Sequence, residues 1–133
     1  MSKDEQLYTW DEFDRDCEKI AQWAKGRGFK NIYGIPRGGL VLAVKLSNLL
    51  EIPVMLSKDD ITRDTLVVDD IVDGGATIER LRNVAGSDFA IVSIFFNYKC
   101  NKAPTYFVRK KEFWVKFPWE TDESSKYDYT PIS

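Results

Sequence analysis

At 133 residues, with 44% hydrophobic, 14% aromatic and 30% charged side chains, the chain has enough apolar material for one packed core and too little for two. Its formal net charge of −2, with acids and bases interspersed, provides no basic face for a nucleic-acid backbone or an anionic membrane. The chain has no histidine, which excludes Ser-His-Asp triads and Cys-His nucleophiles; Cys17 and Cys100 lack metal-ligand spacing and are expected as free thiols in a reducing, cytoplasmic setting.

Residues 1–9 carry no apolar leader core, and no run approaches the length of a bilayer span. Thr9-Trp10-Asp11-Glu12 has the pattern of a capping box, and Trp10, Phe13, Cys17, Ile20, Ala21 and Ala24 follow at helical spacing up to Gly26, predicting a first amphipathic helix. Residues 31–35 are β-prone and are halted by Pro36-Arg37-Gly38-Gly39, after which 40–50 are apolar enough for a second, largely buried helix. Residues 53–56 and 65–68 are expected as inner strands, separated by the polar stretch 57–64. A turn rich in carboxylate and glycine follows over 69–75, then a helix over 77–84, a strong strand over 89–96, a weaker one over 106–108, and an aromatic, proline-containing tail over 113–133. Strands alternating with helices predict an α/β fold, a mainly parallel twisted sheet flanked by helices, with ligands beyond the carboxyl ends of the strands. A single domain is expected over 1–133, its core over 10–108 and its tail over 109–133.

The chemistry concentrates in Val67-Val68-Asp69-Asp70-Ile71-Val72-Asp73-Gly74-Gly75-Ala76-Thr77-Ile78. Small residues let successive amides approach an anion and the helix dipole adds to the attraction, so Asp73, Gly74, Gly75, Ala76 and Thr77 form a candidate phosphate cradle, with the Thr77 hydroxyl as a further donor. Carboxylates are unfavourable beside a phosphate. Asp69 and Asp70 should therefore address sugar hydroxyls or a divalent cation. Together the parts describe a site for a sugar phosphate.

The same twelve residues resemble the 5-phosphoribosyl-1-pyrophosphate (PRPP) motif of type I phosphoribosyltransferases. The resemblance implies that Asp69 and Asp70 hold the ribose hydroxyls and Mg2+, and that residues 73–77 hold the 5-phosphate. Gly74 stands where the family usually has Thr or Ser, and Ala76 where it often has Gly. Ile35-Pro36-Arg37-Gly38-Gly39 resembles the pyrophosphate loop, implying that Arg37 and Gly38 receive the leaving group, where a guanidinium would neutralise developing charge. In relatives that use 6-oxopurines an acid at the place of Asp73 faces the base. This implies a general base near N7 while the bond forms at N9; the alternative is that Asp73 only caps the following helix.

Trp114-Val115-Lys116-Phe117-Pro118-Trp119-Glu120 resembles the purine end of bacterial xanthine-guanine phosphoribosyltransferases, and with Tyr8-Thr9-Trp10-Asp11 extends the likeness over nearly the whole chain. Trp114 would stack on the purine, Val115 would offer backbone groups and Glu120 would receive an exocyclic amine; by composition alone, core or interface tryptophans are as good a reading. The family's lysine for the 6-oxo group aligns with Asn97, with Lys99 two residues on as the other candidate. The long hood of the family is reduced to 57–64, with Lys58 and Arg63 as candidate basic residues, and this shortening is expected to lower the rate or pass closure to another subunit. The implied activity is a Mg2+-dependent transfer from PRPP to a guanine, xanthine or hypoxanthine ring, in a dimer or tetramer such as relatives form. The alternative is a weakly active or non-catalytic regulatory protein that binds PRPP or a nucleotide.

Overall fold

The structure, a computed structural model, describes residues 5–85, 88–99 and 103–121. The described chain runs β1 (Glu5–Leu7), α1 (Trp10–Ala24), β2 (Asn31–Gly34), α2 (Gly38–Leu50), β3 (Val54–Met55), a 3-10 turn (Lys58–Asp60), β4 (Thr65–Val72), α3 (Ala76–Ala85), β5 (Ala90–Phe96), β6 (Tyr106–Lys110) and β7 (Trp114–Lys116). Cys100 and residues 122–133 of the tail lie outside the described residues. No described helix is long and apolar enough to cross a membrane.

Helix α1 begins where the capping pattern places it. The Thr9 side chain accepts from the Glu12 amide at 3.1 Å, and the Glu12 carboxylate accepts from the Thr9 amide at 3.1 Å, satisfying two amides that a helix start leaves unpaired. Its periodic face, Phe13, Cys17, Ile20, Ala21 and Ala24, is buried.

The main sheet has the order β3-β2-β4-β5-β6, and every pair in it is parallel. Ile32, Leu66, Val68, Val92 and Ile94 pack with Leu42, Ala43 and Leu46 of α2 and the buried face of α1. Tyr33, Val67 and Ile91 pack with Ile78 and Leu81 of α3. Side chains alternate across a strand, so a sheet covered on both faces needs apolar residues at successive positions. Leu66, Val67 and Val68 meet that demand, each of them buried.

From β2 the chain crosses by α2 to the edge strand β3, and from β4 it crosses by α3 to β5. The two crossovers leave in opposite directions, which opens a crevice at the carboxyl ends of β2 and β4. At this crevice β2 ends at Gly34, paired with Val68, whereas β4 continues to Val72 alongside β5. The turn expected from residue 69 therefore begins later. Asp69 and Asp70 lie on the overhanging end of a strand because Ser93, Phe95 and Phe96 carry the ladder past the point where β2 stops.

Two further expectations change. Residues 53–56 were expected as an inner strand, but Val54–Met55 is the edge. Pro53 has no amide for a ladder and Leu56 is exposed, so pairing ends after two residues. The tail, read from the sequence only as aromatic and proline-containing, supplies β7, which pairs in parallel with β1. Tyr8, Phe95 and Phe117 meet edge to face beneath this pair. The buried carboxylate of Asp16 accepts from the Tyr8 hydroxyl at 2.5 Å and from Arg109 Nε at 2.6 Å, fastening α1 to β6 and to the segment before α1.

The start of α2 is pressed onto β4. The Gly39 amide donates to the Ile35 carbonyl at 2.8 Å, and a Cβ on Gly39 would stand 2.5 Å from the Val68 carbonyl oxygen. Backbone cannot yield there as a flexible side chain would. Gly39→Ala is expected to lower stability by about 1–3 kcal/mol through overpacking, read from the urea midpoint; an unchanged midpoint would show that the helix start has room.

Candidate functional site

The crevice is a cleft of about 760 Å³, within the range of sites that enclose small ligands. Arg37 and Gly38 line it from the β2–α2 turn, Asp69 and Asp70 from β4, Asp73, Thr77 and Arg80 from the β4–α3 side, and Trp114, Val115 and Glu120 from the tail. Three stretches far apart in the chain thus meet on one opening.

The approach of the first turn is again steric. A Cβ on Gly38 would lie 1.8 Å from Asp70 Oδ2, so only a glycine lets the amide end of α2 rest against the Asp70 carboxylate, where the helix dipole favours negative charge. The preceding Pro36–Arg37 peptide is cis. Across the cleft, Gly74, Gly75 and Ala76 form the turn between Asp73 and Thr77, with Gly75 at φ of +77°, a conformation that disfavours a side chain. Gly74 has open space where a Cβ would stand.

The carboxylates are held in opposite ways. Asp69 accepts from the Asp70 amide at 2.8 Å, and Asp70 accepts from the Ile71 amide at 2.8 Å. Burial, and then the adjoining charge of Asp70, push the Asp69 carboxyl well above the ordinary carboxylate range. For Asp73 burial acts upward too, but it is outweighed by hydrogen bonds from Lys111 and Asn97, which bring the carboxyl below its ordinary value. Asn97 Nδ2 donates to Asp73 Oδ1 at 2.7 Å and Lys111 Nζ donates to Oδ2 at 2.8 Å. These bonds tie Asp73 to the ends of β5 and β6.

Asn97 and Lys99 do not line the cleft. The amide of Asn97 is taken up by Asp73, and its oxygen accepts from the Lys99 backbone amide at 3.1 Å. The cation in that region is Lys111. The adjacent Lys110-Lys111 pair in the sequence gives no sign of which side chain turns inward; the structure leaves Lys110 exposed and brings the Lys111 side chain to 15% exposure. Arg80, whose guanidinium lies 3.5 Å from the Thr77 hydroxyl, was likewise not legible. The tail tryptophans divide their roles. Both line the cleft: Trp114 is 58% exposed there, and Trp119 stacks on Phe117 with ring centres 4.9 Å apart and packs against Phe13. Glu120 lines the cleft and accepts from the Phe117 amide at 2.9 Å.

Residues 57–64 do not form a hood. Ser57 caps the 3-10 turn by accepting from the Asp59 amide, and Ile61 is buried with the α3 cluster. Lys58 lines the cleft, but Arg63 lies with Asp88 and Thr105 at a separate, shallower hollow. Cys17 is fully buried, and burial pushes its thiol up to about 12, so it stays protonated and inert.

No family model matches the chain. A xanthine-guanine phosphoribosyltransferase of Cereibacter sphaeroides is 28% identical, with 84% of this chain and 84% of the relative covered. The purine phosphoribosyltransferase of Pyrococcus horikoshii Ot3 has a similar structure, with a TM-score of 0.79 at 28% identity, covering 89% of this chain and 95% of that one. The xanthine-guanine-hypoxanthine phosphoribosyltransferase of Helicobacter pylori matches in fold, with a TM-score of 0.76 at 22% identity, over 92% of this chain and 97% of that one.

The raised Asp69 carboxyl couples stability to pH. In the free protein the folded chain keeps a proton that the unfolded chain loses near about pH 4, so the contribution of Asp69 is fully present below that range and is lost as pH rises through the folded value. Asp69→Asn, which cannot ionise, is expected to raise the melting temperature relative to wild type by a margin that grows as pH rises from acid towards neutrality. A margin independent of pH would contradict the assignment.

Proposed function

We propose that this chain, which has the type I phosphoribosyltransferase fold and is related to the bacterial xanthine-guanine phosphoribosyltransferases, transfers the 5-phosphoribosyl group of PRPP to N9 of a 6-oxopurine and releases pyrophosphate. The observation that carries the reading is the convergence on one cleft of an acidic pair, Arg37 and Gly38 at the start of α2, Asp73 and Thr77 on either side of the turn into α3, and an exposed tryptophan.

In this reading the ribose hydroxyls donate to Asp69 and Asp70, and the 5-phosphate accepts from the amides of 74–77 and the Thr77 hydroxyl. The pyrophosphate lies against Gly38 and Arg37, at the positive end of α2. The acidic pair offers hard oxygen donors suited to Mg2+. No group of three or more His, Cys, Asp or Glu side chains among the described residues could hold a metal unaided, so substrate oxygens would complete its shell. When bound, the ion would neutralise charge on the departing pyrophosphate. N9 forms its bond to C1 as the C1–O bond to pyrophosphate breaks, and the bonding pair leaves with that oxygen. Asp73, ionised at neutral pH, faces the base and takes the N7 proton as the N9–C1 bond forms, so that the ring leaves neutral; its bonds to Lys111 and Asn97 hold it ionised beforehand and make it a weaker proton acceptor than an ordinary carboxylate. The protein supplies positioning and charge and forms no covalent bond to substrate.

One observation favours the regulatory alternative: residues 57–64 are folded down against α3, which leaves closure over the reacting atoms to something else. Pyrophosphate release from PRPP and Mg2+, measured with guanine, xanthine, hypoxanthine, adenine, uracil and orotate against a control without base, tests both readings. Release is expected with the oxopurines, and the Asp69→Asn, Asp70→Asn double variant is expected to lose roughly a hundredfold or more, as for groups that meet the substrate in the transition state. Nucleotide binding with no release from any base would select the regulator. Gly74→Ser fits the open space at that position and adds a hydroxyl donor to the phosphate turn. It is expected to tighten PRPP binding by about tenfold, the order of one hydrogen bond to a charged group; unchanged affinity in calorimetry would place the phosphate elsewhere.

A further inference from the structure

Strand β7 has no place in the main sheet; among the described residues its ladder partner is β1, with Glu5 opposite Trp114, Gln6 opposite Val115 and Leu7 opposite Lys116. The ladder runs one step further, where the Tyr8 amide donates to the Lys116 carbonyl at 3.0 Å. A two-stranded pair this short does not stand by itself. Its support is Tyr8, whose ring meets Phe95 at 5.3 Å and Phe117 at 5.5 Å, and whose hydroxyl donates to Asp16 Oδ2 at 2.5 Å. Burial and the bond to Asp16 raise that hydroxyl above its ordinary value, so it remains a donor. Asp16 is completely buried. Arg109 Nε donates to the same carboxylate oxygen at 2.6 Å, and Arg109 Nη1 stands 3.2 Å from the Glu12 carboxylate, half of the capping box of α1. A carboxylate withdrawn from water needs partners in fixed positions, so α1, β6 and the residue that follows β1 are fastened at one point.

That point carries one wall of the cleft. Phe117, which rests on the Tyr8 ring, stacks on Trp119, and its amide donates to Glu120; these three line the cleft together with Trp114 and Val115. The other half of the cleft is built separately, from Arg37 and Gly38 at the start of α2, the acidic pair on β4 and Thr77 of α3. We propose that Tyr8, Asp16 and Arg109 are positioning residues for the wall that receives the ring, fixing through one buried carboxylate how far Trp114 stands from the sugar-phosphate half. None of the three lines the cleft, so each acts on a ligand through Phe117 and β7. The assignment rests on the function proposed above, because it takes Trp114 as the platform for the base. Its consequence is a division of labour: the network governs the hold on the ring and leaves the hold on the sugar phosphate untouched.

Calorimetric titration of the full chain with ribose 5-phosphate and with guanosine 5′-monophosphate separates the two halves, because the ligands share a sugar phosphate and differ by the ring. Wild type is expected to bind the nucleotide more tightly by about tenfold or more, the worth of one stacked base. Tyr8→Phe keeps the aromatic ring and removes the hydroxyl, whereas Arg109→Lys keeps the charge and removes the fork. Each is expected to weaken the nucleotide by roughly three- to tenfold, the scale on which residues remote from a ligand modulate its affinity, with the affinity for ribose 5-phosphate unchanged. Each variant decides by itself, so the loss of one to misfolding leaves the test intact. A nucleotide affinity equal to wild type would overturn the positioning role and leave the proposed function standing. Equal losses for both ligands would overturn it as well, by reducing the network to a general support of the fold. Wild type that gains nothing from the ring, or that binds neither ligand, would overturn the function and, with it, the assignment.

Discussion

Everything at the cleft depends on how closely the first turn of α2 lies against β4. Gly39 and Gly38 carry no side chain where a Cβ would meet the Val68 carbonyl oxygen and the Asp70 carboxylate, and this brings one helix start within reach of the acids on the neighbouring strand. The sheet topology supplies the other half of the constraint, since β2 and β4 send their crossovers in opposite directions. A leaving-group site, a ribose site and a phosphate turn share one cleft as a consequence of backbone approach, before any particular side chain is considered.

That same closeness sets the electrostatics. Two acids at the end of a strand, one with its carboxyl buried, cannot both be comfortably ionised, so Asp69 is driven towards its neutral form. A cation or a set of sugar hydroxyls relieves the arrangement, which gives the free protein a reason to bind. A few residues on, Asp73 is held ionised by Lys111 and Asn97. The cleft therefore separates two crowded acids, at the end of β4, from a carboxylate whose charge is balanced by Lys111, beside Trp114. A substrate that is anionic and metal-bound at one end and an aromatic ring at the other matches that division.

The sequence made the frame legible because its signals were local. The capping box of Thr9 and Glu12, the apolar run before Asp69 and the glycine turns each report on a few adjacent residues. What escaped was set by distant partners. The extension of β4 through Asp69 and Asp70 depends on Ser93, Phe95 and Phe96. The pairing of β7 with β1 joins the two ends of the described chain. The inward turn of Lys111, rather than Lys110, follows from its backbone bond to Phe96 and the acceptor at Asp73. Asn97 was placed correctly at the end of a strand, yet its partner, 24 residues away, decides which way its amide faces.

The most direct measurement is a crystal structure of the full chain with guanosine 5′-monophosphate and Mg2+. The account predicts the phosphate on the amides of 74–77, the ribose hydroxyls on Asp69 and Asp70, and the ring on Trp114. A nucleotide bound outside this cleft, or bound in it with the ribose turned away from Asp69 and Asp70, would contradict it.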